Sequence, residues 1–281
     1  MKIMCDSGAF SLYTKQFIGI KTDGGRYKNA NYDYTKTKEF KKYLDDYIEF
    51  LHKNKKHLEV YVGLDIIGSP KLTWEIQKYM ESFGLSPLPV FHIGEDFKWL
   101  KKYVDNYEYI GIGGLTKDIP KKTWIVNMGN PIFTFICDTP NRLPRVKVHG
   151  FAMTSPELLT NYPFYSADST SWMQYGKYGL IIVPKRVPSK YNYSCPPWVF
   201  GVTERSPKAK KDNYAHFDNL PIMTKKLVLN YMEEKGFTVE EIKKDYTIRD
   251  DFNLEYFLDL EKSIPEWPWP WKKKQQIRGL W

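Results

Sequence analysis

The chain has 281 residues, 42% of them hydrophobic, which is enough to bury one large domain with an appendage or two modest domains. Its 42 basic and 33 acidic residues give a formal charge of +9, which favours a polyanionic partner, with a basic enzyme that meets no nucleic acid as the alternative. Three isolated cysteines indicate neither a disulfide framework nor a zinc knuckle. The lack of a membrane-length apolar run or a signal peptide predicts a soluble, cytoplasmic protein that does not bind membranes.

Short apolar runs alternate with amphipathic segments from the first residue onward. The runs predicted as strands are Met1–Cys5, Leu58–Leu64, Leu88–His92, Tyr109–Gly113, Ile132–Cys137, Val146–Phe151, Phe164–Ala167 and Gly179–Val183. The predicted helices between them are Thr37–Asn54, Ser69–Phe83, Asp96–Asn106, Lys117–Met128 and Ser155–Asn161, and Gly19–Tyr34 is predicted to be a loop or small hairpin.

Eight strand-like runs separated by helices predict parallel βαβ units. We therefore expect an α/β fold, a (β/α)8 TIM barrel over residues 1–184, with a basic, aromatic-rich C-terminal helical extension over residues 185–281. An open doubly wound sheet is the alternative, but no GxGxxG motif follows the first strand to indicate a dinucleotide site.

The extension has a different character from the barrel region. Pro184–Pro221 is predicted to be mostly loop, followed by helices over Thr224–Lys235, Thr238–Lys244 and Leu254–Lys262. The Trp side chains of the tail from Pro265 either plug the outside of the barrel or contact nucleic acid. Basic side chains among Pro and Tyr are the predicted nucleic-acid contacts, namely Lys185, Arg186, Lys190, Arg205, Lys208, Lys210 and Lys211.

Three predicted strands end in a carboxylate, at Asp6, Asp65 and Asp168. In a barrel these side chains share the face at the carboxyl ends of the strands, where reacting groups lie. Two carboxylates at one sugar carbon permit double displacement, and a third can accept hydrogen bonds from the N–H groups of a base. For each Asp alone, a helix cap or a turn former is the alternative role.

His92 and His149 also lie at or near predicted strand ends, where a lone histidine is more often structural than a ligand. Neither belongs to an HxH or HExxH motif, so we expect no metal. The pair Gly113-Gly114 would let a planar ligand approach the backbone, with a plain tight turn as the alternative.

Five segments occur in the order seen in the tRNA-guanine transglycosylase superfamily. They are DSGAFS (6–11), YVGLDIIGSP (61–70), YIGIGGL (109–115), VHGFAMTSPELL (148–159) and FYSADSTSW (164–172). Over roughly residues 1–183 the chain most resembles the compact, mostly phage-encoded branch of that superfamily, the 7-deazaguanine DNA transglycosylases.

The resemblance implies a role for each residue of these motifs. Asp168 would be the nucleophile on C1′ with guanine as leaving group, and Asp6 the general acid/base. Asp65 would bind the guanine-like edge of the base. The remaining base-binding residues would be Ser7, Phe10, His92, Gly113, Gly114 and His149, with His92 where the tRNA enzymes have a glutamine.

The tRNA enzymes of the superfamily keep a Cys- and His-rich zinc subdomain that this chain lacks, since Cys195 stands alone and His216 has no cysteine cluster. The resemblance therefore implies DNA as substrate, a 7-deazaguanine base such as preQ0 as the second substrate, and no zinc or other cofactor. A queuine-type exchange on tRNA and a non-catalytic nucleic-acid-binding barrel are the alternatives. A phage-encoded enzyme of this kind would act in the host cytoplasm.

Overall fold

The computed structural model describes residues 3–9, 11–12, 34–114, 128–188, 190–206 and 215–273. Nearly all of the predicted helix Lys117–Met128 and of the predicted hairpin Gly19–Tyr34 lies outside these residues. The chain forms a mixed α/β structure with parallel sheets. It divides into two compact units, the first formed by Met1–Asp138 and Arg145–Phe151, the second by Thr139–Pro144 and Ala152–Trp281.

The first unit alternates strands and helices. Its described elements are β1 (Met4–Cys5), α1 (Lys38–Asn54), β2 (Val60–Tyr61), α2 (Pro70–Ser82), β3 (Val90–His92), α3 (Phe97–Asn106), β4 (Tyr109–Gly113), α4 (Asn130–Ile136) and β5 (Lys147–Gly150), with 3-10 turns at Tyr34–Lys36 and Lys55–His57.

The strands of the first unit are parallel and neighbour one another in chain order. β1 pairs with β2, and a bridge between Val62 and Leu88 links the β2 segment to the β3 segment. β3 pairs with β4, and β4 with β5. Parallel neighbours therefore have their carboxyl ends at the same edge, which is where Asp65, His92 and Gly113 lie.

Capped amphipathic helices cover these strands, as predicted. The Thr37 hydroxyl accepts a hydrogen bond from the N–H of Phe40 at the start of α1, and Asp96 caps α3 through the N–H of Lys98. α1 buries one apolar face, which includes Leu51 at 0% exposure, and that face packs with Met80 of α2. Removal of this apolar surface from water is the main term that stabilises the unit.

The predicted strand Ile132–Cys137 is wrong, because its residues up to Ile136 lie in helix α4 and Cys137 is the C-cap of that helix. Pro131 occupies the first turn of the helix, where its missing N–H leaves no hydrogen bond unmade. Ile132, Phe133 and Ile136 are buried at helical spacing.

The second unit combines helices with small sheets. Its described elements are α5 (Pro156–Leu159), β6 (Ser166–Ala167), α6 (Ser171–Lys177), β7 (Leu180–Val183), β8 (Lys185–Val187), β9 (Lys190–Asn192), β10 (Trp198–Gly201), β11 (Ala215–His216), a 3-10 turn Phe217–Asn219, α7 (Ile222–Glu234), α8 (Val239–Lys244) and α9 (Tyr246–Ser263).

Pro184–Pro221 is predicted to be mostly loop, and the prediction misses four short strands in this region, β8 to β11. β10 pairs antiparallel with β7 and parallel with β11, so its apolar run completes a sheet that begins before Pro184. β8 and β9 form a separate antiparallel hairpin. The short lengths of these strands explain why their two-residue periodicity is hard to recognise in the sequence.

Helix α9 starts at Tyr246, earlier than the predicted Leu254. The Asp245 side chain accepts a hydrogen bond from the N–H of Thr247 and caps it. Helix α7 matches the prediction more closely, and Gly236 follows it with a φ of +79°, the conformation that ends many helices.

Part of the Trp-rich tail packs inside the second unit. Trp271 is 3% exposed, and its ring stacks on Tyr162 with centroids 6.2 Å apart. The backbone N–H of Trp271 donates to the backbone carbonyl of Arg142. Within the described ranges, none of the helices combines the length and apolar character that crossing a membrane requires.

Candidate functional site

Asp6 directly follows β1 and is exposed. Ser7, its neighbour, is 1% exposed, and its carbonyl accepts a hydrogen bond of 2.7 Å from the Tyr43 hydroxyl of α1. Burial, followed by the charge of Asp6, raises the pKa of both the Cys5 thiol and the Tyr43 hydroxyl. The turn that presents Asp6 is thus fixed by a helix of the first unit. Phe10, predicted to stack on a base, lies outside the described residues.

Asp65 follows β2 between two buried side chains, Leu64 and Ile66. Ile66 donates its N–H to the hydroxyl of Thr73 in α2, which fixes the backbone beside the carboxylate. The residue preceding α2 is Ser69, so Asp65 does not cap that helix.

His92 ends β3, and its ring lies between two carboxylates. Its Nε2 is 2.8 Å from Oδ2 of Asp65, and its Nδ1 is 3.3 Å from Oε1 of Glu95. All three side chains are between 7% and 12% exposed. Burial lowers the pKa of His92, but hydrogen bonds and charge from Asp65 and Glu95 outweigh it and raise that pKa to about 9.

Gly113 ends β4 beside His92. A Cβ atom on Gly113 would lie 3.3 Å from Cδ2 of His92, so the glycine lets the imidazole pack against the strand. Gly114 has a φ of +89°, and a Cβ atom there would lie 3.2 Å from the N of Ile93. The glycine pair therefore serves the close approach of the His92 turn to β4, which is compatible with a role in a base pocket.

His149 lies within β5 at 2% exposure, and its ring contacts the edge of Phe151 at a centroid distance of 4.4 Å. This places His149 in the packed interior of the first unit. Its predicted base contact stays a prediction.

Asp168 belongs to the second unit, where it directly follows β6 and is exposed. Its Oδ1 accepts a hydrogen bond of 3.0 Å from the N–H of Ala152. In the next turn, the hydroxyls of Ser169 and Ser171 are 2.6 Å apart. Helix α6 has Thr170 as its N-cap, so Asp168 is not its cap either. Whether Asp168 approaches Asp6 and Asp65 stays a prediction from the sequence.

Three of the predicted nucleic-acid contacts lie on one hairpin. Lys185 and Arg186 are in β8 and Lys190 is in β9. The Arg186 guanidinium lies 5.6 Å from the ring of its cross-strand neighbour Tyr191. Arg205 is exposed after β10, and Lys208, Lys210 and Lys211 lie outside the described residues.

Glu95 is the residue that the sequence analysis missed. It lies three positions after His92, in a turn in which the N–H of Glu95 donates to the carbonyl of His92. An acidic residue in a Gly-containing turn just after a strand-end histidine was the available signal. Within the described residues, no group of three or more His, Cys, Asp or Glu side chains is arranged to hold a metal ion.

In comparisons with known proteins, no family model, no curated protein and no solved structure matches this chain.

Proposed function

We propose that this chain is a guanine/7-deazaguanine transglycosylase that replaces guanine in DNA by a 7-deazaguanine such as preQ0. The observation that supports this most directly is the Asp168 carboxylate. It is exposed at a strand end, is held by a backbone N–H and does not cap the helix that follows it. These are the properties that a nucleophile requires, since it must be both accessible and fixed in orientation.

The proposed reaction is a double displacement at C1′ of the nucleotide. Asp168 attacks C1′, the bond from C1′ to N9 of guanine breaks, and Asp6 protonates the departing base. The incoming base then loses its N9 proton to Asp6, attacks C1′ and displaces Asp168. Each of the two displacements inverts C1′, so the configuration at C1′ is retained overall.

The proposal includes a (β/α)8 barrel. The parallel strands β1 to β5 follow chain order, which supports a barrel, whereas a doubly wound sheet reverses its order at a switch point. In this arrangement Asp65, Ser7, Phe10, His92, Gly113, Gly114 and His149 would line the base pocket.

The basic hairpin β8–β9 supports a nucleic-acid substrate. Lys185, Arg186 and Lys190 present cationic groups on two short strands beside aromatic Tyr191. Such groups bind phosphates and stack on unpaired bases. A base inside duplex DNA must be flipped out or already unpaired before Asp168 can reach its sugar, at a cost of a few kcal/mol.

The substrate is tested by incubating the purified protein with labelled preQ0 and single-stranded DNA, duplex DNA or tRNA. We expect label in DNA, with single strands labelled fastest. Label in tRNA alone would replace DNA by tRNA in the proposal. Tight binding with no label in any polymer would favour the non-catalytic barrel.

Asp168→Asn tests the nucleophile. We expect exchange to fall below detection while DNA affinity stays within a few fold, because the amide keeps the shape but cannot form the glycosyl ester. Asp251→Asn, an exposed position in α9, makes the same charge change as a control and should exchange normally. Normal turnover by Asp168→Asn would refute the assignment.

A further inference from the structure

The His92 imidazole uses both ring nitrogens within the first unit. One nitrogen contacts Asp65, and the other contacts Glu95, whose second oxygen also accepts the backbone N–H of His92 at 3.1 Å. A neutral imidazole has a single N–H, whereas two carboxylate partners are both satisfied by the doubly protonated ring. The geometry therefore favours an imidazolium between two carboxylates.

The two carboxylates are what stabilise the charged ring, because burial alone lowers the pKa of His92. Besides Asp65 and Glu95, the cluster is faced by the Tyr103 hydroxyl of α3, whose pKa is raised by burial and then by the charge of Glu95. Gly113 leaves room beside the ring, since a Cβ atom at that position would lie only 3.3 Å from Cδ2 of His92. With both ring nitrogens against carboxylates, His92 would line the base pocket without offering a ring N–H to the base.

We propose that Glu95 and His92 are positioning residues that hold the Asp65 carboxylate for a ligand edge with two adjacent N–H donors, the edge that guanine and 7-deazaguanines present. This inference rests on the proposed function, in which Asp65 binds the base.

A carboxylate that is fixed in orientation gives the pocket its selectivity. Asp65 accepts from His92 through Oδ2, and no hydrogen bond to its Oδ1 is present among the described residues. A carboxylate can only accept, so it suits the N1–H and 2-amino donors of guanine and rejects adenine, whose N1 is an acceptor. Loss of Glu95 would leave the imidazole free to turn and Asp65 less well fixed.

Glu95→Gln is the decisive variant, with Glu75→Gln as its matched control. Glu75 lies on α2 with a side chain 53% exposed, so the control changes the same charge without touching the cluster. We expect Glu95→Gln to raise the KM for the free base about tenfold and to change kcat by less than threefold, because the substitution weakens a hydrogen bond that orients the base-binding carboxylate from outside. An unchanged KM in Glu95→Gln would overturn the inference.

The titration of His92 by NMR separates this inference from the proposed function, because it needs no substrate. We expect a pKa near 9 for His92 in the wild type and a lower pKa in Glu95→Gln. If the wild type exchanges no base but titrates near 9, the proposed function fails while the cluster stands. A wild-type pKa near the ordinary 6.5 overturns the cluster whatever the enzyme does.

Discussion

A carboxylate at a strand end can cap the next helix, form a turn or remain available for chemistry. Neither Asp65 nor Asp168 caps the helix that follows it, since Ser69 and Thr170 occupy the N-cap positions. Asp65 instead bonds to His92, and Asp168 to the N–H of Ala152. For these two residues the structure removes the capping alternative that the sequence leaves open.

The His92 cluster makes stability depend on pH. The pKa of His92 is raised from about 6.5 in the unfolded chain to about 9 in the fold, so its stabilisation is complete below pH 6.5 and is lost as the pH rises through 9. Between these values we expect the free energy of unfolding to fall by up to about 1.4 kcal/mol per pH unit. Urea titrations at pH 6, 7.5 and 9 measure this slope.

Glu95→Gln provides the comparison for that measurement. Its lower His92 pKa should move the decline to lower pH and flatten the slope between pH 7.5 and 9. Identical slopes in the wild type and in Glu95→Gln would show that other groups cause the decline.

The sequence predicts Asp65 and His92 as site residues but not their contact with each other. Strand ends indicate which side chains share an edge, yet the pairing also depends on the turn at Gly94-Glu95, which brings Glu95 back to the His92 ring. Single-sequence patterns do not contain that turn geometry. The sequence analysis therefore missed Glu95, whose position depends on the local backbone conformation.

At the level of elements, a side chain of α9 makes hydrogen bonds to the backbone of β7 along one edge of that strand. Asn253, fully buried in α9, accepts the N–H of Ile182 and donates to the carbonyls of Leu180 and Trp172. β10 covers the other edge of β7. One amide side chain therefore takes the place of a neighbouring strand on the side that faces the helix.

Asn253→Ala should destabilise the second unit by roughly 2–4 kcal/mol, because it leaves buried backbone N–H and C=O groups without partners. Asn219→Ala, at an exposed position after β11, is the control and should change stability by less than about 0.5 kcal/mol. Thermal and urea unfolding measure both variants. If both variants lost the same small amount of stability, water would have replaced the hydrogen bonds that the Asn253 side chain makes.

Elements with long periodic patterns and caps could be predicted, and short apolar runs could not. The predictions of α1 and α3 are confirmed. In each helix buried apolar residues recur at helical spacing, and a side chain caps the first turn. The run Ile132–Cys137 fits a strand and a buried helix equally well by its apolar content, and Pro131 decides for the helix. The pairing of β10 with β7 depends on contacts distant in sequence.

At the scale of the whole molecule, the charge of +9 predicts salt-sensitive binding of nucleic acid. Replacing Lys185, Arg186 and Lys190 by Ala should reduce the slope of log K against log salt by roughly 2 for single-stranded DNA, because each phosphate that a cation neutralises adds about 0.7 to that slope. Replacing the exposed Lys41, Lys55 and Lys56 of the α1 region is the matched control and should change the slope less. Fluorescence anisotropy at several salt concentrations measures the slopes.

The sequence predicts an α/β class, which is confirmed, while the closed barrel and the boundary at Pro184 stay predictions. Closure depends on how distant strands meet, and no local pattern encodes that meeting. Whether Asp168 and Asp6 act on one sugar also depends on contacts between distant parts of the chain. It is therefore tested by the Asp168→Asn variant and not by sequence patterns.

The chain passes between its two compact units three times, after Asp138, Pro144 and Phe151. The segment Thr139–Pro144 includes Arg142, whose carbonyl accepts the N–H of Trp271 near the far end of the chain. No single cut in the chain therefore releases both units whole. Recombination could therefore exchange neither unit as one contiguous cassette.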